Sequence, residues 1–181
     1  MAKPYGFSLT RSGEVRIRLD DAERGLLLSL SHQVAEFVAP PALDPDADPL
    51  AAMVGIDATA EMPEDPALAR LFPDAFTDDL ESSREFRRFT ERGLREAKLA
   101  NALTVMAALE SGQSQIPRDL VGAWLGFLND TRLTLGTRLE ITEDSHQVLA
   151  SLAADDPRLS LFHVYDWLTY LQDTLVRLLL P

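Results

Sequence analysis

Residues 120–139 read Leu120-Val121-Gly122-Ala123-Trp124-Leu125-Gly126-Phe127-Leu128-Asn129-Asp130-Thr131-Arg132-Leu133-Thr134-Leu135-Gly136-Thr137-Arg138-Leu139. Leu120, Val121, Trp124, Leu125, Phe127 and Leu128 surround a helix instead of striping it, the pattern of an element covered on most sides. The stretch predicts a helix over about 118–137 at the centre of a helical protein, set off from what precedes it by Gly112 and Pro117. Arg132 falls on the line of Val121, Leu125, Leu128 and Leu135, so its stem lies against apolar surface and its charge calls for a carboxylate. Asp130, two positions away, faces elsewhere on the same helix and is expected to pair with another one, the arginine-rich helix upstream.

That upstream region predicts helices over about 79–89 and 90–110, either separated by Thr90 as an N-cap or continuous through it. Downstream, a shorter helix is expected near 145–154. Asp155-Asp156-Pro157 then breaks the chain before a last helix over about 161–180, striped by Leu161, Val164/Tyr165, Leu168, Leu171, Leu175 and Leu178/Leu179. Near the start, Asp20 and Glu23 stand three apart, as a capping box requires. They open a helix striped by Leu27, Leu30, Val34 and Phe37/Val38 that Pro40-Pro41 ends. Residues 7–19 alternate as a β-hairpin (Phe7, Leu9; Val15, Ile17, Leu19) around Arg11-Ser12-Gly13, and a short turn is expected at Leu68–Phe72. The fold class is therefore mainly α: a four-to-six-helix bundle with an N-terminal β-hairpin packed on it, in one domain over 1–181.

Residues 40–66 are different in kind. They hold six of the 11 prolines and seven acidic residues with no basic one. Seven of the twelve net negative charges thus sit in a segment that reads as a mobile acidic, Pro-rich linker. With 29 acidic against 17 basic residues, the net charge of −12 opposes binding to nucleic acid or to an anionic membrane. The chain has no cysteine, which excludes disulfides, a thiol nucleophile and thiolate metal sites. The N-terminal stretch Met1-Ala2-Lys3-Pro4-Tyr5-Gly6 lacks the apolar core of a signal peptide, and no apolar run approaches membrane-spanning length. The expected location is cytoplasmic.

Signals of catalysis are missing. There is no Gly-x-Ser-x-Gly elbow, no phosphate loop and no dinucleotide fingerprint. Glu143-Asp144-Ser145-His146 offers one Glu-x-x-His where a di-iron bundle needs two, and suits the acidic first turn of a helix. His32, His146 and His163 have no ligand-like spacing. Neither a metal nor a cofactor is expected.

Three polar groupings remain. Residues 81–98 carry Arg84, Arg87, Arg88, Arg92, Arg95 and Lys98 against four glutamates, with Arg84, Arg88, Arg92 and Arg95 on one face. They form either a docking surface, for an acidic partner or for the chain's own acidic linker, or a solvated face held by pairs such as Glu91–Arg95. The second grouping is Asn129, Asp130, Arg132 and Arg138. The third is Tyr165-Asp166-Trp167, with Asp166 on the face of Tyr170, Asp173 and Arg177 and Trp167 leaning inward.

Glu85-Phe86-Arg87-Arg88-Phe89-Thr90, Lys98-Leu99-Ala100-Asn101, Asn129-Asp130-x-Arg132-Leu133-x-Leu135-Gly136-Thr137-Arg138-Leu139 and Tyr165-Asp166-Trp167-Leu168-Thr169, together with Arg70-Leu71-Phe72-Pro73-Asp74-Ala75, resemble the actinobacterial domain-of-unknown-function family two thousand seventeen. The resemblance covers roughly residues 67–176, with weaker support from the hairpin and first helix. It implies gene neighbours that include the Clp protease adaptor and a metallopeptidase and sulfur-carrier system feeding cysteine synthesis. It also implies, for some members, redox-responsive transcriptional regulation alongside a sigma factor. That role leans on cysteines, which this chain lacks, so thiol sensing does not carry over.

The reading that follows is a non-enzymatic regulatory or adaptor protein acting by protein–protein contact with an unidentified partner. Its polar network is placed on Arg87, Arg88, Asn129, Asp130, Arg132, Arg138, Tyr165, Asp166 and Trp167. The alternative is a helical domain binding a small anionic ligand where Arg132, Arg138 and Asp166 converge, or an uncharacterised enzyme. Leu178-Leu179-Leu180 leaves a homodimer open.

Overall fold

Asp20 accepts from the Glu23 amide at 2.8 Å while Glu23 accepts from the Asp20 amide at 2.9 Å, so the expected capping box opens helix α1 (Asp21–Val38). The computed structural model describes residues 6–42, 49–53, 55–57, 60–142, 152 and 156–180. Its further helices are α2 (Pro49–Met53), α3 (Pro66–Leu71), α4 (Leu80–Glu110), α5 (Val121–Arg138) and α6 (Pro157–Arg177). The helix expected near 145–154 and the Glu143–His146 motif lie outside the described residues, as does much of the acidic segment.

The boundaries depart from the sequence reading where one residue serves two purposes. Thr90 does not cap a second helix. Its hydroxyl donates to the Phe86 carbonyl at 2.9 Å, and α4 runs through without a break. Pro157 does not stop the chain but occupies the first turn of α6, where its missing amide costs nothing, so that helix starts four residues early. The turn expected at Leu68–Phe72 is the end of α3. At the C-terminus of α4, Gly112 takes φ +70°, and the amides of Gly112 and Gln113 return to the Leu109 and Ala108 carbonyls at 3.2 and 3.0 Å.

The hairpin is present as β1 (Gly6–Leu9) and β2 (Val15–Arg18), antiparallel with Phe7 opposite Ile17. A third strand that alternation had not signalled, β3 (Gln115–Ile116), pairs with the other edge of β2 and sets Ile116 opposite Val15. Phe7, Val15, Ile17 and Ile116 turn one face of this sheet into the core. Phe7 meets Trp124 of α5 edge-on, with centroids 5.8 Å apart.

Helix α5 touches α1, α3, α4 and α6, which makes it the central element its sequence implied. Trp124, Phe127 and Leu128 join Leu27 and Val38 of α1, Val105 of α4 and Leu168 and Leu171 of α6 in one buried cluster. Two glycines allow α5 its close neighbours. A Cβ at Gly126 would lie 2.5 Å from Asn101 Nδ2, and one at Gly136 would lie 3.2 Å from the Tyr165 ring. Among the described residues no helix is long and apolar enough to cross a membrane.

Three caps make the fold acid-sensitive. Ser82 holds the Asp79 carboxyl below the usual carboxylate range, through its hydroxyl first and then its amide. Arg158 does the same for Asp156. At Asp65 burial pushes upward, but Arg138 and the amides of Leu68 and Ala67 pull the carboxyl lower still. A depressed folded-state value means that the unfolded chain binds more protons once the pH falls below about 4, so stability contributed above that point is lost. The urea midpoint is therefore expected to drop on acidification from about pH 5 to pH 3. Asparagine, which caps equally well and does not titrate, should flatten that drop when placed at 65, 79 and 156. An unchanged slope in that triple variant would contradict the assignment.

Candidate interaction surface and its buried ion chain

Positions 87, 91, 95 and 98 repeat at three- and four-residue steps and share the inward face of α4. The Arg87 guanidinium pairs with Glu91, donates to Asp74 Oδ1 at 2.9 Å and donates to the Phe72 carbonyl at 3.0 Å. Glu91 Oε1 accepts from Arg95 Nε at 2.8 Å. Arg95 stacks 4.4 Å above the Phe72 ring and reaches the Ala39 carbonyl at 3.4 Å. Lys98 lies 5.8 Å from the same ring and donates to Asp130 Oδ1 of α5 at 2.6 Å.

This chain of charges is neutral: three cations answer three carboxylates. Arg87, Glu91, Arg95 and Asp130 are all buried, where an unpaired charge would cost several kcal/mol. Burial pushes the Asp130 carboxyl up, with Lys98 and Asn129 pulling against it. Burial works against the Arg87 charge too, but Glu91 and Asp74 outweigh it and hold the guanidinium protonated. The chain ties α4 to the end of α1, to the segment after α3 and to α5. Helix α1 has no basic residue in its last turn. Arg95 and Arg92, which donates to the Pro41 carbonyl at 3.2 Å, supply donors to carbonyls at and just beyond that end.

The expected arginine face of 84, 88, 92 and 95 is therefore not one surface. Arg95 is buried, Arg92 is half-buried beside Glu96, and Arg84 and Arg88 are exposed and in no ion pair among the described residues. The inward stripe continues back from Arg87 to Leu80, yet Leu80 is 65% exposed. A 31-residue helix runs to about 46 Å, against about 27 Å for an 18-residue one. Since α1 reaches Leu109 near its start and Arg95 just past its end, the first turns of α4 extend past it, with only Ser83 there buried, hydrogen-bonded to Phe76. On that overhang Phe86 and Phe89 are 47% and 56% exposed, and Phe76 meets Phe86 edge-on at 6.1 Å. The sequence reading missed these two aromatics; the available signal was an apolar side chain on the polar side of the helix. The amide of Asp57 donates to the Arg88 carbonyl at 2.9 Å, which brings part of the acidic segment beside this helix.

The other expected residues separate. Asp130 pairs with α4, as its spacing required, through Lys98. Asn129 is half-buried and hydrogen-bonds Asp130. Arg138 pairs with Asp65 at 2.5 Å and lies 5.7 Å over the Phe37 ring. Arg132 has no carboxylate partner among the described residues, and Arg70 of α3, a like charge, lines the same groove. Its Nε is buried without an acceptor among the described residues. Tyr165 packs on Gly136 in the same groove, Asp166 faces solvent, and Trp167 is half-buried with its Nε1 unbonded among the described residues. Arg132, Arg138 and Asp166 thus do not share one groove. Among the described residues no cluster of His, Asp and Glu has the arrangement of a metal site.

A family model described as a domain of unknown function (DUF2017) matches residues 4–179, a span that takes in the hairpin and α1 as well as the motifs from α3 onward. The chain is 32% identical over 145 residues to a protein of Mycobacterium leprae named putative oxidative stress regulator AosR. That alignment covers 71% of this chain and 65% of the relative, just under two thirds of its length. The oxidative stress regulator AosR of Mycobacterium bovis is 30% identical over 189 residues, covering 94% of this chain and 85% of the relative. The protein of the same name from Mycobacterium tuberculosis gives the same figures. No solved structure matches.

Proposed function

The chain belongs to the DUF2017 family, and from that premise we propose that it is a non-enzymatic regulatory adaptor that works in the cytoplasm by protein–protein contact. The observation that carries this reading is the overhang of α4. Phe86, Phe89, Arg84 and Arg88 stand exposed on a helix whose next turns are locked by the buried ion chain. Aromatic and arginine side chains dominate binding hot spots because they bring large area or fixed donors at modest entropic cost. The regulator names of the mycobacterial relatives agree with this role, and the absence of cysteine separates it from thiol sensing.

An acidic or mixed-charge protein surface suits the two unpaired arginines, whereas a net charge of −12 disfavours nucleic acid. Affinity capture from an extract of cells expressing the tagged chain tests the reading. Arg88→Ala and Phe89→Ala are expected to lose the partner that the wild type recovers, while Asp166→Ala, on α6, retains it. Recovery by all three variants, or loss in Asp166→Ala alone, would contradict the placement on α4.

A further inference from the structure

Helices α3, α5 and α6 meet around an open groove of about 360 Å³ that the ion chain does not reach. Its polar lining is led by Arg70 of α3, Arg132 of α5 and Tyr165 of α6, with Glu140 also present. Two features of it bear on what it could hold. Neither Arg70 nor Arg132 has a carboxylate partner among the described residues, and unlike the likewise unpaired Arg84 and Arg88, which stand exposed on α4, Arg132 is half-buried. Arg132 Nε is also buried with no acceptor, and the Tyr165 hydroxyl has none among the described residues.

A buried donor without an acceptor costs free energy, and two like charges in one groove repel, so the arrangement is unfavourable as it stands. A tetrahedral oxyanion would answer both guanidiniums and the phenol together, and guanidinium groups match such oxygens through paired N–H donors. We propose that this groove binds a phosphoryl group, carried by inorganic phosphate or by a small phosphate monoester. Arg132 and Arg70 grip its oxygens and Tyr165 donates a third hydrogen bond. Glu140 adds a carboxylate to the lining and weakens the attraction without cancelling two cations. Gly136 keeps Tyr165 in place, since a Cβ there would lie 3.2 Å from its ring. The inference rests on this groove alone and is independent of the contact surface on α4.

The test is thermal unfolding at fixed ionic strength, with chloride replaced stepwise by inorganic phosphate or by methyl phosphate. The wild-type midpoint is expected to rise saturably with at least one of them. The larger response tells whether the phosphoryl group arrives free or esterified. Arg70→Gln and Arg132→Gln should each weaken the apparent affinity at least tenfold, and Glu140→Gln should tighten it. Without phosphate, Arg132→Gln should melt no lower than the wild type, because it removes a buried N–H that has no acceptor. Arg70 is exposed, so Arg70→Gln keeps the test valid should the Arg132 variant fold poorly. A wild type indifferent to both probes, or a response that survives Arg70→Gln and Arg132→Gln, would overturn the proposal.

Discussion

Glu91→Ala is expected to lower the unfolding free energy by about 3–5 kcal/mol, the usual cost of removing one partner from a buried ion network. Among the described residues Glu91 is the only carboxylate that both Arg87 and Arg95 touch. Without it, Arg87 retains Asp74 and the Phe72 carbonyl. Arg95 retains only a 3.4 Å bond to Ala39 and the face of Phe72. The buried Arg95 guanidinium would then have no carboxylate partner among the described residues. For a domain of this size the loss corresponds to roughly 6–20 °C in Tm. Glu91→Gln, which keeps the shape and one acceptor, should lose less. Urea unfolding with an unchanged m value checks this. A cost under about 1 kcal/mol would mean that the pair behaves like a surface salt bridge. The ion chain need not stabilise the fold more than apolar side chains of equal volume would. What it adds is directional: each bond fixes α4 against a different neighbour, which sets where the overhang begins.

Trp124→Ala should be comparably severe, at about 3–5 kcal/mol, because the indole is almost fully buried and its removal leaves a large cavity. Trp124 also joins two layers, packing edge-on against Phe7 of β1 at 5.8 Å and 82°. A three-stranded sheet whose third strand has two residues cannot stand alone, so loosening this contact should raise amide exchange in Phe7 and Ile17 before the helices respond. Trp124→Phe, which keeps an aromatic ring in the site, should recover much of the loss. Uniform exchange across the sheet and bundle, or a cost below about 2 kcal/mol, would show that the sheet is anchored elsewhere.

The parts of this fold that were legible in the sequence depend on neighbours along the chain. The Asp20–Glu23 capping box needs only three residues of separation. The burial of α5 follows from apolar side chains on most sides of one helix, and Asp130 had to leave its own helix because Arg132 faces away from it. What was not legible depends on pairing across long separations. Strand β3 is two residues long, too short to alternate, and exists because Ile116 reaches Val15. Arg138 finds Asp65 across 73 positions, which nothing near either residue announces. Thr90 carries a hydroxyl that serves a cap and a mid-helix bond equally well. Arg132 was expected to find a carboxylate, but it finds none among the described residues and shares its groove with a second arginine, Arg70 of α3. The arginine stripe looked uniform because a helical wheel ignores length along the axis. Its division into buried and exposed halves follows from α4 outrunning its neighbours.

Arg87 and Arg88 are adjacent in sequence, one inside the ion chain and the other on the overhang. The most direct test of the account is therefore the affinity of Arg88→Ala for the captured partner, measured on protein whose urea midpoint is determined alongside. The account expects an unfolding free energy within about 0.5 kcal/mol of the wild type, as for surface substitutions, with partner binding weakened at least tenfold. A loss of stability like that expected for Glu91→Ala, or full affinity in a stably folded variant, would contradict it.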